Sequence, residues 1–319
     1  MKYYIGIDLG GTNIAVGIVD ENNRIVAKKS VPTNAPRAVE AYVDDMIKTT
    51  LELCESTNIA LKDVEWIGVG SPGSVNPVSG TVERAHNLGI TSAPVAKLIE
   101  EKTSVKCFIE NDANAAAYGE FIAGAAKDAT NAVCVTIGTG VGGGIIFNGK
   151  IYSGSNFCGA EMGHCVIEYN GLQCNCGRKG CLERYCSATA LIDQTKAAMT
   201  EHSDSAMWDE CGGNIDDVNG RTAFDAMKKG DKSAKEVVEG FIGYLACGCA
   251  NFINIFQPDV LLIGGGISKE GETLLKPLRD IVQKEAFNGD AKNATKIVAA
   301  SLGNDAGIIG AAMLGLLYN

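Results

Sequence analysis

Two stretches of this chain begin in the same way, and that repetition restricts the folds open to it. Residues 3–8, Tyr3-Tyr4-Ile5-Gly6-Ile7-Asp8, read as a strand, Leu9-Gly10-Gly11-Thr12 as a glycine turn and residues 13–19 as a second strand. The polar turn Asp20-Glu21-Asn22-Asn23 then leads into a third strand, residues 24–31. At Ala132 the pattern restarts: a strand over 132–137, the turn Gly138-Thr139-Gly140, a strand over 142–147, the hairpin turn Asn148-Gly149, and Lys150-Ile151-Tyr152. Helical spacing is expected over 36–58, 94–102, 112–124, 189–199, 222–228 and 233–256. Further strands are expected at 66–70, 105–110, 260–263 and 296–300, with an apolar helix after Asn304-Asp305. Strands followed by helices in each half predict an α/β fold of duplicated domains. One glycine turn would be read as a hairpin. Two at equivalent places, with a third glycine run at Gly264-Gly265-Gly266, predict a cleft that grips a nucleotide's phosphates.

A length of 319 residues suits two domains with real cores. The formal charge of −10 repels phosphate backbones and argues against nucleic acid as a partner. No signal-peptide pattern opens the sequence, and the apolar stretch over 306–318 is too short to span a bilayer, so a cytoplasmic protein without a membrane partner is expected. Twelve cysteines in such a chain read as reduced thiols plus a metal site.

Asp8-Leu9-Gly10-Gly11-Thr12-Asn13 supplies backbone N–H groups free of a Cβ, two side-chain donors, and an acid that could hold Mg²⁺ through water. It is neither a Walker A loop nor a G-x-G-x-x-G fingerprint. Asp112, directly after a strand, either caps a helix or accepts a proton from a substrate hydroxyl. A helix N-terminus stabilises the anion, so it would make Asp112 a weaker base. The densest signal is Glu161-Met162-Gly163-His164 followed by Cys174-Asn175-Cys176-Gly177-Arg178-Lys179-Gly180-Cys181. His164, Cys174, Cys176 and Cys181 form a Cys₃His set suited to structural Zn²⁺, with Cys165 and Cys186 as competing thiols. Gly177 and Gly180 let the short loop fold around an ion. Glu161 and Glu183 flank the cluster, and carboxylates are good acceptors for sugar hydroxyls.

Together, Asp8-Leu9-Gly10-Gly11-Thr12, Glu110-Asn111-Asp112-Ala113-Asn114, Gly138-Thr139-Gly140-Val141-Gly142-Gly143-Gly144, Glu161-x-Gly-His164 and Cys174-x-Cys-Gly-x-x-Gly-Cys181-Leu-Glu183 resemble the ROK family of repressors, open reading frames and sugar kinases. The resemblance spans essentially the whole chain. Residues 208–230 and 303–307 look most like the bacterial glucokinases of that family. It implies a two-domain actin/hexokinase-like ATPase fold of duplicated ribonuclease H-like domains with a structural zinc site. One domain would be residues 1–120 joined by a C-terminal helix over 304–319, and the other residues 121–303.

The implied activity is ATP-dependent phosphorylation of glucose at the 6-hydroxyl, by a homodimer. By the same resemblance Asp112 would be the catalytic base. Gly70, Ser71, Pro72 and Gly73, with Asn87, Asn111, Glu161, His164 and Glu183, would line the sugar site. Asp8, Gly10, Gly11, Thr12, Asn13, Gly138, Thr139 and Gly140 would hold ATP phosphates with Mg²⁺, and Gly264, Gly265, Gly266 and Ser268 the adenosine. An N-acetylmannosamine or N-acetylglucosamine kinase is the alternative that the same carboxylates allow. A sugar-responsive repressor is disfavoured, because the first glycine turn begins at Asp8 and the charge is negative. A zinc hydrolase is disfavoured because three thiolates and an imidazole close the metal's shell.

Overall fold

The structure is a computed structural model and describes residues 2–287 and 289–319. The chain divides into two compact units, one of residues 1–131, 144–160 and 301–319, the other of residues 132–143 and 161–300.

The first unit opens with β1 (Tyr3–Leu9), β2 (Asn13–Asp20) and β3 (Ile25–Pro32), then α1 (Val39–Thr57) and β4 (Val64–Ser71). Short strands β5 (Ser74–Asn76), β6 (Thr81–Ala85) and β7 (Ile90–Ala93) follow, then α2 (Val95–Thr103), β8 (Cys107–Asn111) and α3 (Asp112–Ala123). The main sheet runs β3-β2-β1-β4-β8. Its first three strands are the expected antiparallel meander, while β4 and β8 join in parallel. Ile5, Ile7, Ile67 and Val69 point to one face, into a core shared with Tyr42, Val43 and Met46 of α1. The first helix starts three residues later than expected, after a cis Ala35–Pro36 bond. The separate β5-β6-β7 sheet was not foreseen.

The second unit follows with β9 (Ala132–Ile137). β10 (Val141–Phe147) carries the chain back to the first unit at Gly144, where β11 (Lys150–Ile151) closes the hairpin. Next come α4 (Glu183–Cys186), α5 (Ala188–Glu201), α6 (Met207–Glu210), α7 (Thr222–Lys228), α8 (Lys232–Phe256), β12 (Val260–Gly265), α9 (Glu272–Glu285) and β13 (Lys296–Ala299). The sheet order β11-β10-β9-β12-β13 repeats the order of the first sheet, so the duplication read in the sequence is present in the topology. α8 buries Val238, Phe241, Ile242, Leu245, Cys249 and Phe252 at helical spacing. Among the described residues it is the one helix long and apolar enough to cross a membrane by length and composition. Just over half of its most apolar window lies buried in the protein, as a core helix does.

α10 (Asp305–Ala312) and α11 (Gly315–Tyr318) return to the first unit as two short helices rather than the single one expected. Every residue of α10 from Ala306 to Ala312 is buried, which a helix apolar on all sides requires. Side chains alternate along a strand, so Gly6 and Gly68 face away from the α1 core. A Cβ on Gly6 would overlap the Ile308 carbonyl, and one on Gly68 the Ala311 carbonyl. Gly119 of α3 meets the Ala306 carbonyl and Gly310 the Ala115 carbonyl in the same manner. Backbone therefore lies on backbone, and Trp66 Nε1 donates to the Ala312 carbonyl at 2.7 Å beside it. Gly68→Ala should accordingly destabilise by about 3 kcal/mol, the upper range for overpacking. Gly240→Ala, with open space around it in α8, should stabilise by about 0.5–1 kcal/mol. Urea unfolding of both variants checks the opposite signs; equal midpoints would contradict the close approach.

Candidate active site

In the first unit, three neighbouring parallel strands end side by side. Asp8 of β1 pairs in register with Gly70 of β4, and Gly70 with Glu110 of β8. The C-terminal edge of such strands is where α/β sheets receive ligands. α3 starts there, and its cap is Asn111. Asn111 Oδ1 accepts the N–H groups of Ala113 at 2.9 Å and Asn114 at 3.1 Å, while Nδ2 donates to the Gly73 carbonyl at 3.0 Å. The capping role weighed for Asp112 thus belongs to its neighbour. Asp112 Oδ1 accepts the Ala113 N–H at 2.8 Å. Burial raises the Asp112 pKa and outweighs the backbone N–H bonds that lower it, so the expected weakening of the base is reversed. Asp8 is pushed up to about 6, first by burial and then by Asp112. A Cβ on Gly307 would lie 2.7 Å from Asp8 Oδ2, so the start of α10 lies close against this acid.

Two supporting residues carried no role in the sequence reading. Glu110 is buried; its Oε1 accepts the Asn111 N–H at 2.8 Å and Asn114 Nδ2 at 3.1 Å, and its Oε2 accepts the Tyr318 hydroxyl at 2.6 Å. An acid ending the apolar run Cys107-Phe108-Ile109 was the available signal. Thr33 is fully buried; its hydroxyl donates to the Gly10 carbonyl at 2.7 Å and its N–H to the Thr12 carbonyl at 2.8 Å. The turn is closed further by Gly10 N–H to the Asn13 carbonyl at 2.9 Å. Exposed Asn87 reaches the same turn, its Nδ2 standing 3.0 Å from where a Gly11 Cβ would be. Ser71 and Pro72 are buried, and the Ser71 hydroxyl donates to the Pro72 carbonyl at 3.3 Å.

In the second unit, the Gly138 N–H donates to the Gly140 carbonyl at 2.9 Å. The segment after the cysteine loop grips this turn: Ala188 N–H donates to the Gly138 carbonyl and the Thr189 hydroxyl to the Thr139 carbonyl, both at 2.8 Å. Glu183 Oε2 accepts the Val141 N–H at 2.9 Å. Gly264 and Gly265 pair in register with Thr136 and Ile137, so the third glycine run, with Gly266 and Ser268, ends beside the second turn. The Ser268 hydroxyl donates to the Gly265 carbonyl at 2.7 Å.

The donor atoms of His164, Cys174, Cys176 and Cys181 all lie within 4.8 Å of one another. Cys176 and Cys181 sulfurs are 3.6 Å apart, and Cys174 Sγ is 3.8 Å from His164 Nδ1. Tetrahedral zinc with Zn–S bonds of about 2.3 Å spaces its sulfurs by roughly 3.8 Å, so the set fits that ion. Gly177 and Gly180 both have positive φ, and a Cβ on Gly180 would overlap the Glu168 carbonyl. Cys186 is buried with its thiol toward the Phe241 carbonyl, and Cys165 is exposed; neither belongs to the donor group. Nδ1 of His164 faces the thiols, which leaves Nε2 on the other side of the ring. Glu161 is exposed and immediately precedes the 3-10 turn Met162–His164.

The candidate residues thus fall into two groups. Asp8, Gly10, Gly11, Thr12, Asn13, Gly70, Ser71, Pro72, Gly73, Asn87, Asn111 and Asp112 belong to the first unit; the remainder belong to the second.

The ROK family matches residues 4–316. A glucokinase of Thermotoga maritima is 35% identical over 311 residues, 97% of this chain and 96% of its own length. The crystal structure of a ROK family glucokinase from Streptomyces griseus, in complex with glucose and AMPPNP, matches with a TM-score of 0.81 at 35% identity and covers 98% of each chain. A putative xylose repressor of Caldicellulosiruptor is 30% identical over 89% of this chain and 70% of its own length. The α/β fold expected from the resemblance is the fold of the matched structure. Matched by the family from its first strand to its last helix, the chain belongs to the ROK family.

Proposed function

We propose that the protein is an ATP-dependent hexose kinase that transfers a phosphoryl group to the 6-hydroxyl of glucose. The observation that carries the reading is Asp112, released from capping by Asn111 and raised in pKa by burial, in a chain 35% identical to a glucokinase over 97% of its length. Asp112 accepts the 6-hydroxyl proton as the oxygen bonds the terminal phosphorus of ATP and ADP leaves. Phosphoryl transfer asks mainly for positioning of the attacking oxygen and for charge stabilisation. Gly10, Gly11, Thr12, Asn13, Gly138, Thr139 and Gly140 hold the phosphates, and Gly264, Gly265, Gly266 and Ser268 the adenosine. Asp8 would hold Mg²⁺, and the ion would supply neutralisation of phosphate charge.

Asn87, Asn111, Glu161, His164 through Nε2, and Glu183 through its Oε1 bind the sugar, beside the Gly70-Ser71-Pro72 backbone. Zn²⁺ at His164, Cys174, Cys176 and Cys181 is structural and holds the loop that carries Glu183. We read the enzyme as a cytoplasmic homodimer, as the family resemblance implies. A coupled assay across hexoses and N-acetylated amino sugars tests the substrate: glucose should give the highest kcat/KM, and a preference for N-acetylmannosamine or N-acetylglucosamine would overturn it.

Asp112→Asn should lower kcat by roughly 10²–10⁴, the range for a positioned base, with glucose KM nearly unchanged. Because Asn111 keeps the helix cap and the amide removes a buried charge, the melting temperature should not fall; a variant with a tenth of wild-type kcat would contradict the base.

Asp8 has a pKa of about 6 against an ordinary 3.8. The folded state therefore holds this proton more tightly, and stability falls as pH rises from about 4 through 6. Above that window the ionised group costs the fold on the order of 2–3 kcal/mol. Asp8→Asn should then be more stable than wild type at pH 7.5, by a margin that vanishes near pH 4, while losing phosphoryl transfer. Melting temperature against pH measures this, and a margin independent of pH would refute it.

Protein purified without chelator should carry one zinc per chain by elemental analysis, and Cys176→Ser should release it and raise the glucose KM. Finding no zinc in the wild type would sink the metal assignment.

A further inference from the structure

The two glycine turns are held by the same device. In the first, the Gly10 carbonyl accepts the Thr33 hydroxyl at 2.7 Å; in the second, the Thr139 carbonyl accepts the Thr189 hydroxyl at 2.8 Å. The Gly138 carbonyl is held as well, by the Ala188 N–H. A trans peptide is planar, and its C=O and N–H point in opposite directions. Drawing the Gly138 and Thr139 carbonyls toward the start of α5 therefore turns the Thr139 and Gly140 N–H groups away from it. Holding the Gly10 carbonyl turns the Gly11 N–H in the same sense within its own turn. Successive N–H groups aimed one way make an anion-binding nest. Glu183 fixes the far end of the second turn by accepting the Val141 N–H, and it occupies the space a Gly140 Cβ would need.

We infer that Thr189 is a positioning residue for the phosphoryl donor: its hydroxyl holds the Thr139 carbonyl so that the Gly140 N–H is aimed at a nucleotide phosphate. Thr33 is its counterpart on the first turn. The inference rests on the reading of these turns as phosphate holders, and it adds residues outside the turns to that machinery. Thr189 is only half-buried and sits in the first turn of α5, whose cap is supplied by Ser187, so its substitution leaves the helix start in place.

The test compares wild type, Thr189→Val and Thr189→Ser. Valine keeps the shape and removes the donor; serine keeps the donor. Calorimetric titration with ATP in the absence of sugar, and KM values for ATP and for glucose, are measured on each. Thr189→Val should weaken ATP binding and raise the ATP KM by roughly 3–10-fold, the size of one net hydrogen bond, with glucose KM unchanged. Thr189→Ser should restore ATP binding to about the wild-type value. If Thr189→Val binds ATP as wild type does, or if both KM values rise together with a lowered melting temperature, the inference is overturned while the kinase reading stands. If the wild type itself binds no ATP, the kinase reading falls first and this inference with it.

Discussion

The direct contact of the α10 backbone with β1, β4 and α3 is what the first unit's chemistry depends on. Helices usually stand about 8–10 Å from what they pack on, because side chains intervene. Here glycines at 6, 68, 119 and 310 remove the intervening Cβ atoms. The sheet end that carries Asp8 and the helix start that carries Asp112 are thereby drawn to the same helix. Gly307 sits against Asp8 while Gly310 sits against Ala115, one turn into α3. Two acids are brought close enough for Asp112 to raise the proton affinity of Asp8, on a scaffold where backbone packs on backbone.

The buried acids of this unit are answered by neutral donors rather than by lysine or arginine. Glu120 accepts the N–H groups of Ser301 and Leu302 at 2.8 and 2.6 Å and that of Ala125 at 2.9 Å, and Glu110 accepts from Asn111, Asn114 and Tyr318. Such carboxylates lock backbone geometry because each lone pair has a fixed partner. Burial raises the pKa of Asp8 and Asp112, and a raised pKa is common where an acid is kept for chemistry rather than stability.

Much of this was legible beforehand, for identifiable reasons. The glycine turns and the cysteine loop declare themselves because they use residues that geometry or chemistry cannot replace: a Cβ at Gly180 overlaps a carbonyl, and three thiols with one imidazole meet at zinc spacing. The β5-β6-β7 sheet was hidden because strands of three to five residues are too short to show alternation. α9 was hidden by Pro277, which reads as a helix breaker but lies inside the element, while Leu274, Leu278 and Val282 carry the buried stripe. The division of labour between Asn111 and Asp112 lay beyond local sequence, since both residue types cap equally well and only the backbone decides. Thr33 and Thr189 were illegible for another reason: each acts 23 or 50 residues away from the carbonyl it holds.

The placement of α10 also bears on how the chain is made. During translation the strands that hold Gly6 and Gly68 emerge long before the helix that covers them, Asp305–Ala312. Domains tend to fold as they emerge, amino-terminal first. Here that order is inverted: all of residues 132–143 and 161–300 are available before residues 305–312 can close the first unit. The sheet face that α10 covers is therefore made well before its cover, and of the two units the one encoded first is the one completed last.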